Sequence, residues 1–264
     1  MAQIKFDNID LAFGNNAIIE SFNLSIEKGE IVTFFGPSGC GKSSIMKMVL
    51  GINTPTHGNV TIGDVEASQY QQPISYVPQD NELLPWLSVK DNIEIWSKNV
   101  VEPGLSSSEV LQMVDLEKHA HKLPSVLSGG MSRRTALARG LATKSDILCF
   151  DEAMVGIEKT MRHKLLINLR NYIKKSKATA IFISHDYEET IFLSDRIIVF
   201  TPPPAVISKI INVDELYGNT DRQMVKKYGK ADFVGMEFFD VDDRDTTFIH
   251  SQLFKDIYNQ MLTS

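Results

Sequence analysis

Apolar residues occur along this chain in two rhythms. Near the amino terminus Ile4, Phe6, Ile9 and Leu11 mix with polar neighbours, which predicts short strands, and residues 31–35 (IVTFF) form a continuous apolar run ending at Gly36. An unbroken run of that length suits a parallel strand buried on both faces. Residues 36–41 (GPSGCG) then supply turn chemistry, and 42–50 have the spacing of a helix that Gly51 stops. From about Trp86 to Thr143 helical spacing takes over, over 89–97, 108–116 and 130–142, which predicts a helical insertion. Strands return at 147–150 and 178–183, with a helix between them marked by Leu165, Leu166, Leu169 and Ile173. Alternation of this kind predicts an α/β fold. Pro202, Pro203 and Pro204 cannot continue a central strand or a helix, so they mark a connection or a sharp change of direction, with a small appendage after it. There, 239–245 reads as an acidic solvated loop, and Phe254, Ile257 and Met261 as one face of a terminal helix.

Composition narrows the classes. With 264 residues, 43% hydrophobic and 23% charged, the chain has enough apolar content for one large or two small domains and is not disordered overall. A net charge of −6 without a run of lysines or arginines lacks the footprint of a nucleic-acid binder. The two cysteines, Cys40 and Cys149, make neither a disulfide framework nor a zinc cluster and suit a reducing cytoplasm. Acids interrupt the first ten residues, and nowhere do eighteen apolar residues run together, so neither a secretory signal nor a membrane span is expected.

The candidate chemistry begins at Gly36, Pro37, Ser38, Gly39, Cys40, Gly41, Lys42 and Ser43, with Ser44 following: a glycine, four residues, then Gly-Lys-Ser/Thr. This is the phosphate-loop pattern. Its glycines let backbone N–H groups converge on phosphate oxygens, the next helix presents its positive end, the lysine reaches the β and γ phosphates, and the serine can ligate Mg²⁺. Cys40 occupies a variable position of that loop. Downstream, the apolar run 147–150 ends in Asp151 and Glu152, two carboxylates at the carboxyl edge of a buried strand. Asp151 is placed to hold Mg²⁺ through its water shell, and Glu152 to orient or deprotonate the water attacking the γ-phosphate. Gln79 and His185 also fall at strand ends, where each can reach a γ-phosphate or its attacking water; spacing alone does not separate that role from simple exposure.

Leu127, Ser128, Gly129, Gly130 and Met131 resemble the signature sequence of ATP-binding cassette proteins, and five elements stand in that family's order: the phosphate loop, Gln79, the signature, the Asp151-Glu152 pair and His185. The resemblance covers about residues 3–213. It implies an α/β P-loop NTPase of cassette type over 1–213, with a mixed sheet core, a helical subdomain inserted at about 86–142, and a short C-terminal extension, 214–264, of no assigned role. It implies ATP and Mg²⁺ as cofactors, an ATPase activity with Glu152, Gln79 and His185 as catalytic residues, and Ser43, Gln79 and Asp151 at the metal. Phe13 aligns with the family's adenine-stacking aromatic, and a strand-core role is the other reading. In such proteins two cassettes pair head to tail, so Ser128, Gly129 and Gly130 would serve the nucleotide of a second subunit, identical or not.

The string 76–93 (YVPQDNELLPWLSVKDNI), with Met131 and residues 185–190 (HDYEET), is most similar to importers of the nitrate, sulfonate and taurine type. That similarity implies an integral membrane permease docked near Leu83, Leu84, Pro85 and Trp86, a solute-binding protein upstream, no nucleic-acid partner, and a cytoplasmic, peripheral location on the inner face of the membrane. The chain departs from the family pattern at two places: Glu158 stands where aspartate is usual, and Ser132-Arg133-Arg134 replaces a basic-glutamine-arginine run. Two further readings accompany the importer ATPase: a catalytically weak regulatory or heterodimeric subunit, which Glu158 suggests, and a soluble cassette ATPase outside transport.

Overall fold

The computed structural model describes residues 4–14, 16–97 and 105–213. The chain opens with two long strands, β1 (Ile4–Phe13) and β2 (Asn16–Ile26), then β3 (Ile31–Phe35), helix α1 (Lys42–Val49), β4 (His57–Ile62), β5 (Val65–Glu66) and β6 (Ile74–Val77). Helices α2 (Val89–Ser97), α3 (Ser107–Met113) and α4 (Gly129–Leu141) form the insertion. After them come β7 (Ile147–Asp151), α5 (Lys159–Ser176), β8 (Thr179–Ser184), α6 (Tyr187–Leu193), β9 (Arg196–Phe200) and β10 (Ile207–Asn212). Among the described residues the strands make an antiparallel sheet ordered β2-β1-β4-β5 and a mixed sheet ordered β10-β9-β3-β8-β7-β6.

Every residue of β3, β7 and β8 is buried, which is why these segments read as unbroken apolar runs. Alternate side chains serve two separate cores. Leu148, Phe150, Ala180 and Phe182 pack with residues of the helical side such as Leu137, Leu141, Leu165 and Leu169. Ile147, Cys149, Ile181 and Ile183 face Ile45 and Met46 of α1 and the apolar face of the antiparallel sheet. Phe150 and Phe182, opposite one another on adjacent strands, stack face to face at 4.4 Å between ring centroids.

The structure departs from the sequence expectations at three places. The amino-terminal strands are long, ten and eleven residues, because Asn8 and Ser21 adopt φ 49 and register shifts break the alternation without ending the pairing. Helix α3 begins at a capping box made by Ser106 and Glu109 and ends at Met113, short of the expected 116, since Asp115 turns left-handed at φ 55. The prolines do reverse the chain, but no appendage follows at once: β10 returns antiparallel to β9 within the same sheet. The expected acidic loop at 239–245 and the terminal face of Phe254, Ile257 and Met261 lie outside the described residues. Among those described, no helix is long and apolar enough to cross a membrane.

Candidate functional site

Sheet order brings the separated motifs together. Strands β3, β8, β7 and β6 are neighbours and parallel, with Phe35 opposite Ser184, Ile183 opposite Asp151, and Phe150 opposite Val77. The loops beginning at Gly36, His185, Glu152 and Pro78 therefore leave the same edge side by side, at the carboxyl ends where open α/β sheets bind ligands.

The phosphate loop is held by its own backbone and by the β1–β2 hairpin. Gly41 caps α1 at φ 104, and a Cβ there would lie 2.8 Å from Ile18 Cγ2, so both conformation and space call for glycine. The Lys42 side chain is buried, and its Nζ donates to the carbonyls of Gly36 (2.9 Å) and Pro37 (2.7 Å) and lies 3.6 Å from Cys40 Sγ. Cys40 is itself buried, a small residue under the lysine. The Ser43 hydroxyl lies beside the Asp151 carboxyl. Burial pushes the Asp151 carboxyl up from its ordinary range; the neighbouring Ser43 hydroxyl opposes this, Glu152 adds to it, and Lys47 and Lys42 oppose it.

Glu152 is where the remaining motifs meet. Its Oε2 accepts from Gln79 Nε2 at 3.1 Å, and its Oε1 lies 3.3 Å from His185 Nδ1. The residue stands at φ 49, uncommon for a side chain of this kind, and its N–H donates to Ile183 O at 3.0 Å. Phe13 is 57% exposed at the tip of the β1–β2 hairpin, opposite Asn16, on the hairpin whose Ile18 lies against Gly41. Ser128 caps α4 by accepting from Met131 N–H, and a Cβ on Gly130 would lie 3.2 Å from Gly156 O in the loop after Glu152. No hydrogen bond among the described residues joins Ser128, Gly129 or Gly130 to the phosphate loop of the same chain.

Two residues with large structural roles escaped the sequence reading. Arg133, marked there only as a departure, is buried and donates to carbonyls of both the Gln79 and the Glu152 loops. Asn92 is buried too: its Nδ2 donates to the carbonyls of Leu84, Leu87 and Ser88, and its Oδ1 accepts from Leu84 N–H, which folds the segment after Gln79 into a fixed loop. A polar residue at an apolar helical position was the available signal in both cases.

Behind His185, Glu189 is buried with Oε2 accepting from Ser184 Oγ at 3.1 Å and Oε1 without a partner. Burial pushes its carboxyl up to about 8; the Ser184 bond opposes this, Asp186 adds to it, and Arg162 and Arg133 oppose it. Its folded-state value is thus raised above the unfolded one, so its contribution to stability is fully present below the ordinary carboxylate range and is lost as pH rises towards 8. Glu189→Gln removes the titration. Between pH 5 and pH 8.5 thermal unfolding should shift in favour of the variant by roughly 4 °C or more relative to the parent; a difference independent of pH would contradict the buried proton.

A phosphate loop opening a helix, an Asp-Glu pair at the carboxyl end of β7 with Asp151 buried, and polar side chains at the same sheet edge define a P-loop nucleoside triphosphatase. A family profile described as ABC transporter matches residues 19–155. The chain is 34% identical over 204 residues to the aliphatic sulfonates import ATP-binding protein SsuB 2 of Burkholderia lata, covering 76% of this chain and 74% of that one. It is 34% identical over 222 residues to the nitrate import ATP-binding protein NrtD of Synechococcus elongatus, covering 80% and 81%. The dimeric, post-hydrolysis structure of the ATP-binding cassette MJ0796 bound to ADP and Pi aligns with TM-score 0.71 and 25% identity, over 80% of this chain and 99% of that one. The chain belongs to the ABC transporter family, as an ATP-hydrolysing cassette.

Proposed function

We propose that this cassette closes with a second cassette subunit around ATP and Mg²⁺ and energises a membrane permease that imports a small oxyanion or sulfonate. The observation that carries this reading is the convergence of Lys42, Ser43, Asp151, Glu152, Gln79 and His185 on one sheet edge, in a chain similar to two import ATP-binding proteins.

In this reading the N–H groups of the phosphate loop and Lys42 hold the β and γ phosphates, and Phe13 covers the adenine ring. Ser43 and Asp151 fit Mg²⁺: they are neighbouring oxygen ligands, and a cation would offset the desolvation that raises the Asp151 carboxyl. Bound there, Mg²⁺ supplies charge neutralisation at the phosphates. Glu152 takes a proton from the attacking water. Gln79 and His185 hold its two carboxylate oxygens, so its aim is fixed before ATP arrives. Ser128, Gly129 and Gly130 at the start of α4 direct N–H groups outward, to the nucleotide of the opposing subunit.

The docking surface for the permease is the loop after Gln79, where Trp86 is 70% exposed and Pro85 is exposed, on a segment that Asn92 holds rigid. Tagged protein recovered from detergent-solubilised membranes should bring down an integral membrane subunit. Trp86→Ala should lower that recovery by about fivefold or more with nucleotide binding intact. Recovery of ribosomes or DNA in place of a membrane protein would overturn the reading. Uptake of nitrate against an alkyl sulfonate by the reconstituted complex then separates the two solute classes. Glu158, exposed at the start of α5 without a side-chain capping bond, favours the second reading of a weakly hydrolysing subunit, which full turnover by the purified chain would remove.

A further inference from the structure

Arg133 lies one turn into the helix that starts at the signature, and its side chain is almost wholly buried. Its Nη1 donates to the carbonyls of Pro78 (2.7 Å) and Gln79 (2.9 Å) and to Asn81 Oδ1 (3.3 Å). Its Nη2 donates to the carbonyls of Asp151 (3.0 Å) and Glu152 (2.7 Å), and its Nε to that of Ala153 (2.8 Å). One rigid, planar fork thus binds five main-chain carbonyls drawn from two loops. No carboxylate oxygen takes part. The buried charge is balanced by carbonyl dipoles and by the nearby carboxylates of Asp151, Glu189, Glu152 and Asp80.

The two loops are those that carry Gln79 and Glu152. The Glu152 residue is in a left-handed conformation, fixed on one side by its N–H to Ile183 O and on the other by its carbonyl to Arg133. The Gln79 carbonyl is fixed to the same guanidinium, so the 3.1 Å contact between the Gln79 and Glu152 side chains is set by a shared anchor behind them. Arg139, further along α4, adds bonds to the carbonyls of Glu82 (2.7 Å) and Asn81 (3.2 Å), and the helix packs on β6 with Ser75 Oγ donating to Gly140 O at 2.6 Å.

We propose that Arg133 is a positioning residue for hydrolysis: by clamping the backbones of both loops to the signature helix, it fixes Glu152 against Gln79 and carries any movement of that helix directly to the Glu152 carboxylate. The proposal rests on the reading of Glu152 as the group that activates water, and goes beyond it by assigning the residue that aims it.

The test uses the purified full chain with MgATP. Arg133→Gln removes the fork, and Arg133→Lys keeps the charge but offers a single point donor. Turnover number should fall about tenfold or more for glutamine and by an intermediate amount for lysine, with KM and the dissociation constant for ATP within about twofold of the parent. Deuterium uptake should rise at 78–81 and 151–154 and remain unchanged in α1. In a Glu152→Gln background, adding Arg133→Gln should lower the single-turnover rate no further, because the two residues act through one carboxylate. Three results overturn the proposal: turnover within twofold for Arg133→Gln; the same fractional loss in both backgrounds; or joint loss of folding and nucleotide binding in both Arg133 variants, which would make the residue a stability element only. If Glu152→Gln itself leaves turnover unchanged, the proposal and the Glu152 reading fall together; if it slows turnover while Arg133→Gln does not, only the proposal falls.

Discussion

Glu152→Gln is expected to bind ATP as the parent does and to turn it over at least about 10²-fold more slowly. The side chain keeps its length, and an amide can still meet Gln79 and His185, so the geometry at 3.1 and 3.3 Å is largely retained. What is lost is the ability to accept a proton from water, and general-base catalysis of this kind contributes roughly 10²- to 10⁴-fold. Among the described residues the hydrogen bonds of the Glu152 carboxylate go to Gln79 and His185 and not to the phosphate loop, so affinity should be spared. Phosphate release at saturating MgATP, set beside the calorimetric dissociation constant, separates the two quantities. A turnover number within twofold of the parent would remove Glu152 from the chemistry.

Lys42→Ala should act on the other quantity, weakening ATP binding about 10²-fold or more. A charge-assisted bond to phosphate in a water-poor loop is worth roughly 1.5–3 kcal/mol. The substitution also leaves the Gly36 and Pro37 carbonyls without their donor, which loosens the loop itself. The measurement is titration with a nonhydrolysable ATP analogue, accompanied by thermal unfolding of the free protein to show that the fold persists. Unchanged affinity in a folded variant would mean that this loop does not grip a triphosphate.

The parts of the fold most legible in the sequence were those whose residues are buried on both sides. The runs at 31–35 and 147–150 name β3 and β7 to within a residue, since a strand covered on both faces has no polar rhythm to obscure it. The strand-end positions of Gly36, Gln79, Asp151 and His185 likewise anticipated their meeting at one edge, because loops leave a parallel sheet side by side. What the chain did not disclose was the pairing of β1 and β2, whose alternation is broken by left-handed Asn8 and Ser21, and the separate four-stranded sheet they build. Nor did it disclose Arg133 as an anchor. An arginine reads as a surface residue until the topology folds two carbonyl-rich loops around it, and those loops lie 54 and 19 residues away from it in sequence.

The double-sided burial of the central strands divides the consequences of mutation by parity. Leu148 and Cys149 are adjacent in the chain, yet a void opened at one is felt by the helical lobe and at the other by the lobe that carries the phosphate loop. Sequence drift can therefore remodel the helical lobe, odd or even position by position, while the lobe that carries the phosphate loop, on the reverse of the same wall, stays as it was.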